Sequence, residues 1–211
     1  MTTTPAAVAA PPRLTALLPP LGPLAMAGWA FAVPYQLSAP APVWIPQAAA
    51  GTGRLQVAFV MLLLFAVVAV PGAIVLGLRA RRASRRTGTA GLVLTVLGFG
   101  AAAFSGAGYD ATAVAAHRVL GGQVPQVERL LGELDGFAAP LLAGALFVPC
   151  MAAGAILMGI AFWRGGGTPR WAAIAMVAAF PVILAGGAVS TLANGCGWLL
   201  LATAFWRASR T

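Results

Sequence analysis

Asp110 and His117 stand seven residues apart, so a helix running through both places an acid and an imidazole on one face. Such a pair is a minimal proton relay, or half of a metal site. His117 is the only histidine, however, and a zinc site takes three or four ligands. The inventory therefore favours the plainer reading, in which Asp110 ends or caps a helix and His117 is solvated. Glu128, Glu133 and Asp135 are the other acids. Paired carboxylates can act as acid and base, but Val127, Leu130, Leu131 and Leu134 recur at helical spacing, which puts Glu128 and Glu133 on the polar side of an amphipathic helix. A solvated face is expected there. Ser190, Thr191 and Asn194 form a third polar set, near the outer end of the last apolar run, where they can meet backbone carbonyls. Asp110, His117, Ser190, Thr191 and Asn194 are thus the candidate polar or ligand positions.

Nothing else in the chain assembles into a catalytic set. Cys150 and Cys196 have neither metal-ligand spacing nor the density of a disulfide scaffold, and both fall in apolar runs. They read as small buried packing residues that do not bridge. There is no Walker loop or dinucleotide fingerprint, and Gly165-Gly166-Gly167 lacks the strand and helix such a motif needs. No cofactor, catalytic residue or metal ligand is assigned.

The elements that must carry these residues are membrane spans. Of 211 residues, 60% are hydrophobic and 8% charged, against about a quarter charged in a soluble domain. The net charge of +9 lies at the ends of apolar runs and not in one patch, which argues for membrane orientation and against nucleic acid. Arg79, Arg81, Arg82, Arg85 and Arg86 lie between two long apolar runs and anchor one side of the bilayer. Counting outward from them gives an all-α polytopic bundle of about six spans, at 21–37, 55–78, 89–109, 137–163, 171–187 and 190–206.

Residues 1–20, with Pro11-Pro12 and Pro19-Pro20, read as a disordered cytoplasmic tail, and 208–211 as a second one. The span at 21–37 competes with a cleaved signal ending near Ala39-Pro40-Ala41, against which Pro42 argues. Ser38 to Gly53, with Pro40, Pro42, Trp44 and Pro46, is expected to be extended, with Trp44 and Tyr35 at headgroup level. Pro71-Gly72 should bend the second span. Residues 110–136 hold all four acids and form an extracytoplasmic loop, with the short amphipathic helix on the outer surface and a further helix over 111–120 broken off by Gly121-Gly122 and Pro125. Trp171 to Trp206 carries no charge and would measure about 54 Å as one helix, so it must be two spans or a re-entrant pair, with the turn near Gly187 to Ser190.

Orientation follows from the arginines. Arg13, Arg79, Arg81, Arg82, Arg85, Arg86, Arg164, Arg170, Arg207 and Arg210 fall inside, and Arg54, Arg118 and Arg129 outside. Both termini are expected in the cytoplasm, and the protein in the plasma membrane as a multi-pass component.

The tract Ala161-Phe162-Trp163-Arg164-Gly165-Gly166-Gly167-Thr168-Pro169-Arg170-Trp171 resembles a turn recurrent in uncharacterised six-span integral membrane proteins of actinobacteria. The resemblance covers this hairpin together with size and span count. It implies six spans and carries no activity.

Two functions remain as expectations. The first is a non-catalytic protein that packs in the bilayer among lipids, as a homo-oligomer or with a membrane-protein partner. The second is a small permease, or a binder of lipid or a hydrophobic ligand, with a cavity kinked open by Pro71, Pro149 and Pro181 beside the polar cluster of Ser190, Thr191 and Asn194; Pro34 is a fourth intramembrane proline.

Overall fold

A computed structural model describes residues 13–105 and 108–210. Among these the chain is all α, without a strand. After a 3-10 turn at Arg13–Leu17, α1 spans Leu18–Ala32. Pro19 and Pro20 do not exclude a helix, as expected for a tail through residue 20, because they occupy its first turn, where no backbone N–H is required. Residues 1–12 of that expected tail lie outside the described residues. Val33, which precedes Pro34, turns extended at ψ 127° and ends α1.

The stretch expected to be extended is instead α2, Ala41–Ala50. Pro40 is its extended N-cap and Pro42 lies in its first turn, both positions that proline favours. The longest helix, α3, spans Thr52–Ala83 and runs on through Pro71. Ser84 alone, extended at φ −151°, separates it from α4, Arg85–Ser105. The arginine run is thus two helix ends joined by one residue. Gly88 sits against the backbone of Ala80 and Arg81, where any Cβ would collide, so only glycine permits so tight a reversal.

Tyr109 and Asp110 do not close the third span; they open α5, Tyr109–Val119, with Gly108 as its N-cap. Gly121 and Gly122, at φ 62° and 86°, then break the chain before α6, Val124–Asp135. The long helix α7 spans Ala138–Gly165 and ends on left-handed Gly166. Arg170–Val189 forms α8, and Ser190, extended, is both its C-cap and the N-cap of α9, Thr191–Ala208.

Among the described residues four helices are long and apolar enough to cross a membrane, at Thr15–Ala32, Thr52–Ala83, Leu141–Gly165 and Arg170–Val189. They pack with α4 and α9 in a closed cyclic order, α1 on α3, α3 on α4, α4 on α7, α7 on α8, α8 on α9 and α9 on α1. The interior holds Phe65 edge-on to Phe99 at 5.4 Å and Phe180 edge-on to Trp198 at 6.4 Å, with Leu76, Met158 and Leu201 fully buried. Outward faces are apolar: Leu63 and Val67 on α3 and Leu141 and Leu142 on α7 are each at least 60% exposed. Water would not tolerate so continuous an apolar surface, but lipid does. Cys196 belongs to that outer surface and is exposed, a correction to its reading as a buried packing residue; Cys150 is partly buried, and both thiols are free.

The arginine-bearing helix ends share one end of the bundle. Gly165 abuts Ala83, Arg170 lies over the Trp163 ring at 5.7 Å and Arg207 over the Trp171 ring at 5.9 Å. At the opposite end α2, α5 and α6 pack together over Ile45, Ala113, Val127 and Leu131. Leu130, expected on the apolar stripe of α6, is 42% exposed.

Candidate functional site

The helical cap and the bundle meet at Asp110. It stands in the first turn of α5, and Tyr35, just beyond the end of α1, donates its hydroxyl to Asp110 Oδ2 at 2.6 Å. Tyr35 is held in turn by the ring of Trp44 on α2, 5.2 Å away, and Trp44 stacks on Tyr109 at 6.3 Å. Burial pushes the Asp110 carboxyl above its usual range, and the Tyr35 hydrogen bond opposes that rise without cancelling it. The Tyr35 phenol is pushed well above its ordinary value, first by burial and then by the charge of Asp110. Tyr109 is raised by its burial and by Asp135. Among the described residues Asp110 has no cationic partner.

Beneath this roof is a cavity of about 240 Å³. Its walls are Met26 and Trp29 of α1, Leu62 and Phe65 of α3, Ala102 of α4 and Phe147 of α7. Tyr35, Tyr109 and Asp110 close its outer end. The Trp29 indole Nε1 is buried out of reach of the cavity's contents and, among the described residues, has no hydrogen-bond partner. The site therefore offers one carboxylate and a largely aromatic wall.

Of the expected polar positions, only Asp110 reaches this cavity. His117 lies on the same helix, but about 10 Å further along it, and its Nδ1 is buried without a partner. The structure does not join the two. No group of three or more potential metal ligands occurs among the described residues.

Thr191 and Asn194 act as stitches between helices. Thr191 Oγ1 donates to the Tyr35 carbonyl at 3.3 Å and to Gln36 Oε1 at 3.0 Å, tying α9 to the exit of α1. Asn194 Nδ2 donates to the Ile183 carbonyl of α8 at 2.9 Å. Ser190 caps the turn between those helices. Arg54 makes a further stitch, donating to the Phe31 and Val33 carbonyls at 3.2 Å each and so satisfying the C-terminus of α1.

Sequence reasoning missed the walls. Trp29, Phe65 and Phe147 look like ordinary residues of apolar runs, and nothing in their spacing links them. The one signal was Tyr109 beside Asp110, an aromatic ring next to an acid. None of Pro34, Pro71, Pro149 and Pro181 lines the cavity. No protein-family description, curated protein or solved structure matches this chain.

Proposed function

We propose that this is a non-catalytic, six-span plasma-membrane protein that holds a small molecule, lipid-derived or otherwise hydrophobic, in the cavity beneath Asp110. The observation that carries the reading is the cavity itself, with its aromatic lining and its single acid. At about 240 Å³ it lies just under the roughly 300–1,000 Å³ of drug-sized sites, which suits a headgroup or a short-chain ligand.

The six spans are α1, α3, α4, α7, α8 and α9, the six helices of the ring. Arg79 to Arg86, Arg164, Arg170 and Arg207 face the cytoplasm with both termini, because cations are retained on that side. The α2, α5 and α6 layer then lies outside, with α6 as its amphipathic member, Val127 and Leu131 inward and Glu128 and Glu133 outward.

Native mass spectrometry of the protein released from lipid nanodiscs tests the reading. A reproducible bound species beyond bulk lipid is expected, reduced when Phe147→Trp fills the cavity. A bare monomer, or a species insensitive to Phe147→Trp, would refute it and return the protein to the partner-binding class.

A further inference from the structure

We propose that the occupant of the Asp110 cavity is an organic cation, a protonated or quaternary amine. The inference rests on the ligand-binding reading above and adds the class of ligand. The residues that define it are Asp110, Tyr35, Trp29, Phe65, Tyr109 and Phe147.

The first argument is charge. Among the described residues no arginine lines the cavity, so the Asp110 carboxylate closes a mostly apolar site without a cation beside it. Tyr35 donates one hydrogen bond to Oδ2, and an ionised carboxylate has roughly four acceptor positions, so most of them remain open. A ligand cation would supply the missing charge and bring the raised carboxyl back toward its usual range.

The second argument is the wall. Trp29, Tyr35, Phe65, Tyr109 and Phe147 surround the space, and aromatic faces attract ammonium groups within about 6 Å, more strongly once water is removed. An anion would meet both the carboxylate and the negative ring faces, and would be repelled. A neutral apolar molecule would leave the acid without a partner.

The ammonium class arises both as a free small amine and as the ethanolamine headgroup of a phospholipid.

The test uses the full chain in phosphatidylglycerol nanodiscs, which contain no amine. Ethanolamine, ethylamine and ethanol are titrated separately while unfolding is followed. Ethanolamine and ethylamine should each raise the Tm saturably by about 2–4 °C, and ethanol not at all. Asp110→Asn should weaken ethanolamine binding about tenfold or more. Should Asp110→Asn not fold, the three-ligand series on the unaltered chain still decides. Replacing half the lipid by phosphatidylethanolamine separates the sources: a higher starting Tm with a blunted titration assigns the headgroup, and an unchanged titration assigns a free amine.

Equal shifts with ethanol and the two amines would overturn the cation class and leave the ligand-binding reading standing. No shift with any of them, together with a bare monomer in native mass spectrometry, would overturn both. Stabilisation by ethanolamine that survives Asp110→Asn unchanged would also overturn the cation class.

Discussion

Tyr35 and Asp110 are 75 positions apart in the chain and 2.6 Å apart in space, the phenol of one donating to the carboxylate of the other. That bond joins the exit of α1 to the first turn of α5, and so fastens the helical cap to the bundle. Hydrogen bonds to charged groups contribute about 1.5–3 kcal/mol where they are shielded. Tyr35→Phe should therefore lower stability by about 1.5 kcal/mol or more. In a double-mutant cycle the loss should largely disappear when Asp110 is already Asn, and an undiminished loss would show that Tyr35 acts through its packing on Trp44.

The raised carboxyl of Asp110 sets a direction with pH. Between the ordinary value of 3.8 and its higher folded value, the native state binds more protons than the unfolded chain, so stability falls as pH rises through that window. Tyr35 and Tyr109, raised in the same sense, contribute only on the alkaline side, where the unfolded phenols ionise first. Asp110→Asn should flatten the acid-side slope. Urea unfolding at a series of pH values reads this, and an unchanged slope would remove Asp110 as its source.

Asn194 ties α9 to the Ile183 carbonyl of α8 and lies away from the cavity. Asn194→Leu should cost about 1 kcal/mol, in the range of interhelical hydrogen bonds within membranes. It should leave ligand-induced stabilisation unaltered. Loss of the ligand shift with the bond would instead place the binding site at the α8–α9 turn.

Membrane orientation is open to direct labelling. With Cys150 and Cys196 replaced by alanine, a cysteine introduced by Ser84→Cys should stay unreactive toward an impermeant thiol reagent in intact cells, and one from Gln123→Cys should react. The reverse pattern would invert the topology. Reaction at both would break the six-span count.

Arg54 holds the Phe31 and Val33 carbonyls at the end of α1. Arg54→Ala should cost about 0.5–1 kcal/mol, and Arg54→Gln, which keeps a donor without the charge, should recover part of it. Thermal unfolding of the three proteins decides.

What the sequence determined by itself was whatever depends on local composition. Long apolar runs need lipid or a core, arginines at their ends mark one side, and a pair of glycines before a proline breaks a helix, so the all-α class, α3, the Ser190 turn and the α5–α6 break were legible. Local rules failed where proline was read without its position: Pro19, Pro20, Pro40 and Pro42 all occupy helix starts, where a missing N–H costs nothing. Only the tertiary structure decided which residues share a space. Met26, Trp29, Phe65 and Phe147 come from three helices whose relative rotation is set by close packing, such as Gly98 against Met151, and one-dimensional periodicity carries no information on that rotation. The same packing turned Asp110 from a helix-end residue into the acid of a cavity, and Asn194 from a candidate ligand position into a bond between two helices.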